Sequence, residues 1–449
     1  MKLKLPEKVI YIIETLENNG FEAYAVGGCV RDSILARTPG DWDITTSATP
    51  MQVKQLFKRT IDTGIQHGTV TVLLDKDMYE VTTYRIDGKY EDSRHPKEVT
   101  FTASLEEDLK RRDFTINAMA YNDRTGLVDL YGGMNDLQRK VIRCVGDPKE
   151  RFTEDALRML RAVRFAAQLG FSIDPNTAQA VKELADSLER ISAERIQVEI
   201  VKLLVSNYPG LWEVCYNLGI TRIIMPEFDV CMITPQMTPH HCYCVGEHIL
   251  CSMENVPADK VLRLTMLLHD MGKPVSKVTD EKGRDHFYGH AKVSEDMARD
   301  ILHRLRFDND TIAKVTKLIR YHDTRPEPTA KQVRQLLNEI GEELFPMYLA
   351  VRRADTMAQS SYMREEKLER IDQIEAEYLE IIRKQECFSL KTLAITGKDL
   401  IRLGMKPGKE IGEILNLALD LVIENPSLNN KAYLMNFAAA EDAKRRRAQ

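Results

Sequence analysis

The chain has 449 residues, of which 43% are hydrophobic and 29% charged, the composition of a soluble globular chain and long enough for two to four domains. It has no run of about 18 apolar residues, which excludes a membrane-spanning helix, and its eight cysteines are too few for a disulfide scaffold. A net charge of −5 counts against nucleic-acid binding by overall charge, so such binding would have to use local basic stretches: LKRRDF at 109–114, RMLRAVRF at 158–165, or the terminal KRRRAQ, which reads as a solvated tail.

The first residues, MKLKLPEKVIYIIETLENNG, lack a signal-peptide pattern, so a cytoplasmic location is expected. Residues 8–18 predict a helix, and 23–26 and 42–46 predict strands. The β-rich runs 69–74 and 78–84 flank Asp75-Lys76-Asp77 and predict a hairpin. The stretch 87–98 is polar and aperiodic and reads as a loop. Beyond residue 150 the pattern turns helical: Ala156, Leu160, Val163 and Ala167 share one face, and 191–205 repeats the period. The rest reads as helices broken at Pro and Gly. The expected fold class is α+β: a head with a mixed β-sheet and helices, followed by all-α domains.

The sequence GGCVRDSILARTPGDWDITT (27–46) sets Asp41 and Asp43 on one side of the strand predicted over 42–46. Two carboxylates that close need a cation between them, and Mg²⁺ takes a few carboxylates together with phosphate oxygens. Two such ions clamp the attacking and leaving oxygens of a phosphoryl transfer. Upstream, Gly27 and Gly28 let backbone N–H groups approach a phosphate, and Arg31 can add charge-assisted bonds. Glu80, on the second hairpin strand, is a candidate third carboxylate. A D-x-D pair alone leaves the substrate open.

GGCVRD followed by GDWDITT resembles the signature of the nucleotidyltransferase superfamily in its class II tRNA nucleotidyltransferase form, a family that also includes bacterial poly(A) polymerases. Three further stretches match in order: RIDGKYEDSRHP (85–96), RRDFTINAMAYN (111–122) and FTEDALRMLRAVRFAAQLGF (152–171). The resemblance implies that Asp41 and Asp43 hold catalytic Mg²⁺ and that Arg112 and Asp113 contact the nucleotide sugar. It assigns base recognition to E-D-x-x-R, here Glu154 to Arg158. Thr153 reads as the N-cap of that helix, and Asp155 and Arg158, three apart, as neighbours on one helical face. Their acceptor and donor complement the amino group and ring nitrogen shared by cytosine and adenine, and oppose guanine and uracil. The resemblance makes Arg161 and Arg164 further nucleotide contacts.

Residues 240–360 hold His248, His269-Asp270 after an apolar helix, His290, His322 and Asp355. Imidazole and carboxylate suit a divalent metal, and buried charge after Leu267-Leu268 needs a partner. The order H…HD…D resembles the HD phosphohydrolase superfamily, implying a second divalent metal held by His248, His269, Asp270 and Asp355, with His290 and His322 at the extra positions of two-metal members. Some bacterial tRNA nucleotidyltransferases carry such a domain, with phosphatase or cyclic phosphodiesterase activity; a structural metal site is the alternative. Cys231, Cys242, Cys244 and Cys251 lie near His240 and His241 but lack C-x₂-C spacing, and read as free thiols. In the tail, Gly404, Gly408 and Gly412 read as turns between helices, and Lys406 and Lys409 suit a phosphate; this stretch resembles the tRNA-binding tail of class II enzymes.

The expected organisation is a head at 1–140, a helical neck with the nucleotide-recognition motif at 141–230, an HD domain at 231–365 and a helical tail at 366–449. The expected activity is Mg²⁺-dependent, template-independent synthesis and repair of the tRNA 3′-CCA end from CTP and ATP. The alternatives are a poly(A) polymerase or A-adding enzyme, and an HD phosphohydrolase as the main activity. The polar segment 85–96 speaks against a CC-only enzyme, since members restricted to C are expected to lack it. The residues give no oligomeric state.

Overall fold

The computed structural model describes residues 2–87 and 99–448, so most of the loop expected at 87–98 lies outside the described residues. The chain divides into two compact units, 1–229 and 230–449. In the first, the strands are β1 (Ala23–Val26), β2 (Ile44–Thr46), β3 (Thr60–Gly64), β4 (Thr69–Leu74), β5 (Asp77–Thr83), β6 (Arg85–Asp87), β7 (Val99–Phe101), β8 (Met119–Asn122) and β9 (Gly126–Asp129). Seven of them form one mixed sheet in the order β3-β4-β5-β2-β1-β8-β9. All pairs in it are antiparallel except β2 with β5, which run parallel with Ile44 opposite Val81. β6 and β7 form a separate antiparallel pair.

The hairpin is one residue tighter than the sequence predicts. Leu74 pairs with Asp77, leaving Asp75-Lys76 as a two-residue turn, with Asp75 at φ +58°; Asp tolerates the left-handed conformation such turns demand. The strand expected at 42–46 begins at Ile44. Its neighbour β1 ends at Val26, whose N–H still donates to the Asp43 carbonyl (3.0 Å). At Gly27 the chain turns into the helix Gly28–Ile34, so Trp42 loses its partner strand.

Helix Glu7–Asn18 buries Val9, Ile12, Ile13 and Leu16 on one face, the spacing of an amphipathic helix. Helix Leu157–Leu169 packs against Ala193–Leu204 and fully buries Leu160, Val163 and Ala167 as their periodicity predicts. Gly170 ends it at φ +71°, where a Cβ would meet the Tyr208 ring at 2.7 Å, so only glycine fits.

The second unit is largely helical. The helices Val245–Glu254, Lys260–Leu268, Asn309–Tyr321 and Phe345–Met357 pack on one another, and His290–Arg304 packs on Asn309–Tyr321. A short hairpin, Lys277–Thr279 with Asp285–Phe287, interrupts them. The helices Gly397–Arg402, Lys409–Glu424 and Lys431–Ala448 enclose their own core of Leu400, Ile414, Ala418, Val422 and Leu434. Gly404, at φ +96°, marks a turn, but Gly412 lies inside Lys409–Glu424 rather than at one. Among the described residues no helix is long and apolar enough to cross a membrane.

Candidate active site and candidate metal centre

The parallel pairing of β2 with β5 brings the head's carboxylates together. Ile44 opposes Val81, so Asp43 and Glu80, each one residue earlier, arrive at the same end of adjacent strands. Asp41 and Glu80 are exposed and Asp43 half-buried. Burial, then the charges of Asp41 and Glu80, push the Asp43 carboxyl up to about 6, partly offset by Arg112. A carboxylate raised by its neighbours' charge is a seat for a cation.

Gly27 sits beside this edge at φ +83°, and a Cβ there would meet the Arg112 guanidinium at 3.1 Å. Arg112 Nη2 reaches Asp108 at 3.4 Å, while its Nε is buried without a hydrogen-bond partner. A half-satisfied guanidinium against a glycine turn suits a phosphate oxygen. Asp108, which sequence reasoning missed, is fully buried. It accepts from Arg111 (2.8 and 3.0 Å) and Thr45 (3.1 Å). Burial would raise its carboxyl, but Arg111 and Arg112 outweigh this and hold it below the usual carboxylate range. The signal was present as an acid three and four residues before two arginines.

Of the remaining expected nucleotide contacts, Asp113 and Arg161 engage each other, while Arg31 and Arg164 hold other protein partners. Arg31 forks onto Asp32 (2.8 and 3.0 Å) and donates to Asn117 (2.7 Å), with Gly28 beside its guanidinium. Asp113 is buried and accepts from Arg161 twice (2.9 and 2.6 Å), from Asn117 (3.1 Å) and from the Phe114 N–H (2.8 Å). Burial opposes its ionisation, but Arg161 prevails and the carboxyl is held well below its usual value. Arg164 pairs with buried Glu199 (2.8 Å). Arg31, Arg161 and Arg164 all lie over the Phe165 ring, at 5.1, 5.4 and 3.6 Å. Phe165, Asn117 and Glu199 organise these cations; two of them lay inside the matched stretches but carried no chemical signal of their own.

The E-D-x-x-R stretch differs from its expected helix start. Helix Pro148–Glu154 is capped by Asp147, and Thr153 lies within its last turn, its hydroxyl donating to the Lys149 carbonyl. Asp155 breaks the helix in extended backbone, and the next begins at Leu157. Asp155 therefore lies outside the helix that carries Arg158, Arg161 and Arg164, not on its face. Its carboxylate caps the Leu157 N–H (3.1 Å) and pairs with Arg195 (2.7 Å). Arg158 pairs with Glu154 (2.5 Å) and donates to the Arg111 carbonyl (3.1 Å), which ties it to the residue beside Arg112.

In the second unit the six expected ligands converge. His248 Nε2 lies 2.9 Å from Asp355, 3.4 Å from Asp270 and 3.3 Å from His269 Nε2. His290 and His322 Nε2 lie 3.2 Å apart, each 3.5 Å from the other Asp270 oxygen. Asp270 thus belongs to two ligand groups, His248–His269–Asp270 and Asp270–His290–His322. The Nδ1 atoms of His269, His290 and His322 lie 2.6–2.8 Å from backbone carbonyls, which only accept. Nδ1 therefore donates to the carbonyl and Nε2 faces inward, offering a lone pair once it has lost any proton of its own. Inward-facing ring nitrogens around a fully buried carboxylate, with Lys273 its close cation, fit two divalent ions, which His248, His269 and Asp270 on one side and Asp270, His290 and His322 on the other would hold.

Lys273, which sequence reasoning passed over, and His241, noted there only as a neighbour of the cysteines, border a cavity of about 600 Å³ beside these residues. Lys273 Nζ is 2.7 Å from Asp270, one turn on from the His-Asp pair. Cys231 is buried and Cys244 caps helix Val245–Glu254; among the described residues no cysteine joins a metal-capable group.

A mixed sheet carrying clustered carboxylates at one end, beside a glycine turn, defines a nucleotidyltransferase head. Residues 23–143 match the poly A polymerase head domain, 170–232 the RNA- and SrmB-binding site of polymerase A, and 281–438 tRNA nucleotidyltransferase domain 2. The chain is 36% identical over 450 residues to the CCA-adding enzyme of Enterococcus faecalis, covering 97% of this chain and 96% of that one. It is 36% identical over 416 residues to the CCA-adding enzyme of Levilactobacillus brevis, covering 90% of each. The crystal structure of the Bacillus stearothermophilus CCA-adding enzyme in complex with CTP superposes with a TM-score of 0.72 at 28% identity over the whole of both chains. The chain belongs to the CCA-adding enzyme family.

Proposed function

We propose that this chain adds C, C and A to the 3′ end of tRNA from CTP and ATP without a nucleic-acid template. The observation that carries this is the meeting of Asp41, Asp43 and Glu80 at one end of the central strands β2 and β5, beside the Gly27–Gly28 turn and Arg112. Asp41 and Asp43 would hold Mg²⁺, with Glu80 a third carboxylate. When bound, the ion lowers the pKa of the RNA 3′-hydroxyl and neutralises the pyrophosphate leaving group. Arg112 and the glycine amides orient the triphosphate, and Asp113 holds Arg161 against Phe165 beneath the nucleotide.

Asp155 and Arg158 read the base. Each is ion-paired, to Arg195 and Glu154, so recognition exchanges these pairs for hydrogen bonds to the base edge. Cytosine and adenine supply the amino donor and ring acceptor that compensate the exchange. Guanine and uracil present the reverse and leave buried groups opposed, at a few kcal/mol.

The test is incorporation of each labelled nucleotide into tRNA ending at the discriminator base, at -C or at -CC. CTP used first and ATP last supports CCA synthesis; repeated ATP addition to any RNA supports a polymerase instead. Arg158→Ala should lose discrimination against GTP and UTP by about tenfold or more, with a smaller change in triphosphate affinity; an equal loss of both would assign it to the phosphates.

A second reading rests on the six-ligand cluster: residues 231–365 form an HD-type metal centre with phosphohydrolase activity. Burial would lower His269, but Asp270 and Asp355 push its imidazole up to about 10, so at neutral pH a proton stands where a cation would. Adding Mn²⁺ at pH 8 should therefore release about one proton per site, measured by an indicator in weak buffer. Asp270→Ala should abolish this release while CCA addition continues; loss of both would join the two sites into one. We further assign the tail, 366–449, to tRNA binding, the division at 140 to head and neck, and the chain to the cytoplasm.

A further inference from the structure

Asp108 joins the strand beside the head's carboxylates to the arginines next to it. It stands on the helix Leu105–Lys110 with none of its surface exposed. One carboxylate oxygen takes the Arg111 fork at 2.8 and 3.0 Å. The other takes the Thr45 hydroxyl at 3.1 Å and Arg112 Nη2 at 3.4 Å. Thr45 is fully buried in β2, two residues beyond Asp43. Arg112 lies along the Gly27 turn, its Nη1 3.1 Å from where a Cβ on that glycine would stand. Its charge also reaches Asp43, where it partly offsets the rise of that carboxyl. One carboxylate shared by two guanidiniums leaves a net positive charge, so Asp108 holds Arg112 without neutralising it.

Resting on the nucleotide site proposed above, we infer that Asp108 is a positioning residue for nucleotidyl transfer: it aims Arg112 at the triphosphate and keeps that arginine from pairing with Asp43. The bond from Arg112 to Asp108 is long, and Arg112 Nε has no hydrogen-bond partner, so the guanidinium keeps donors for a phosphate oxygen. Released from Asp108, it would be drawn to the Asp43 carboxylate, the group an incoming metal-bound nucleotide needs unpaired. The Thr45 bond fixes the carboxylate against β2, so the arginine and the strand that leads from Asp43 move as one piece. An apolar side chain would fill the same space and give Arg112 no fixed partner.

The test is calorimetric titration of the full chain with CTP, Mg²⁺ present and tRNA absent. Arg112→Ala should weaken CTP binding by about tenfold or more, and Asp108→Asn by about tenfold, the worth of a hydrogen bond to a charged group. In the Arg112→Ala background Asp108→Asn should add less than about twofold, because it acts through that arginine. Affinity for tRNA, titrated separately, should change by less than about twofold in each variant, since independent sites do not couple. Asp108→Asn leaves two guanidiniums without their anion. Should that variant not fold, Asp108→Asn with Arg111→Met removes one cation together with the lost charge and carries the same comparison. Losses that multiply across Asp108 and Arg112, a CTP affinity that a folded Asp108 variant leaves unchanged, or an equal loss of tRNA affinity overturns this inference and leaves Arg112 in its place. CTP binding unmoved by Arg112→Ala overturns the reading beneath it.

Discussion

Asp43→Asn should abolish nucleotide addition without weakening the fold. Asp43 is placed at the junction of Asp41, Glu80 and the glycine turn, and losing a ligand charge there forfeits several kcal/mol of transition-state stabilisation, about a thousandfold in rate or more. Its effect on stability has the opposite sign. The carboxyl is pushed up to about 6, by burial first and then by Asp41 and Glu80, so ionising it in the folded chain costs free energy. For an acid raised in this way, stability is fully present below the unfolded pKa and is lost as pH rises through the folded one. In EDTA at pH 8 the asparagine variant should therefore unfold at or above the wild-type temperature, and near pH 4 the two should coincide. The stabilisation is bounded at about 3 kcal/mol and reduced by solvent screening. Divalent ion should raise the wild-type unfolding temperature at pH 8 and leave the variant's nearly unchanged. A variant that loses stability together with activity would make Asp43 a structural residue.

Asp113→Ala should be the most destabilising single change in the head. It removes the acceptor for two Arg161 bonds, one from Asn117 and one from the Phe114 N–H, and strands a guanidinium against the Phe165 ring. Breaking a buried pair from one side costs about 3–5 kcal/mol, or roughly 10 °C in unfolding temperature for a unit of this size. Replacing both partners, Asp113→Leu with Arg161→Met, should recover most of that loss, because an apolar pair leaves no buried charge uncompensated. Addition should stay impaired in the double variant, since Arg161 no longer supports the nucleotide site. Recovery of full activity would reduce the pair to packing alone. Scanning calorimetry and incorporation assays on the same preparations separate the outcomes.

The contrast between Asp43 and Asp155 shows where sequence reading ends. Spacing of two predicts a shared strand face for Asp41 and Asp43, yet the strand begins only at Ile44 and both precede it, where the charge of Asp41 still raises the Asp43 carboxyl. Spacing of three predicts a shared helical face, and there it failed. Asp155 sits in a helix break whose location depends on Asp147 capping the preceding helix and on Asp155 itself capping the next. Local capping outweighed periodicity, and no residue count exposes that. Sequence reading singled out Arg31, Asp113, Arg161 and Arg164, but not the Asp113–Arg161 pair or the gathering of the three arginines over Phe165, because residues distant in the chain close that network.

The H…HD…D order singled out His248, His269, Asp270 and Asp355 and the two-metal resemblance added His290 and His322, each a residue type with metal-binding chemistry; the fold brings all six together. Carbonyls on the turns just before His269, His290 and His322 decide which ring nitrogen faces inward, and that could not be read from their spacing. Lys273 went unremarked because a single lysine is usually a surface residue, and His241 was noted only as a neighbour of the cysteines.

From the sequence alone came the family, the α+β order of head and helical body, and the candidate carboxylates and metal-binding residues, because chemistry-bearing residue types at short spacings record local geometry directly. Tertiary structure alone decided that β2 runs parallel to β5 and so brings Glu80 beside Asp43, that Asp155 and Arg158 hold protein partners, and that the histidines and aspartates of the second unit converge. Each of these is a meeting of segments far apart in the chain, set by packing and strand direction rather than by anything a run of residues carries by itself.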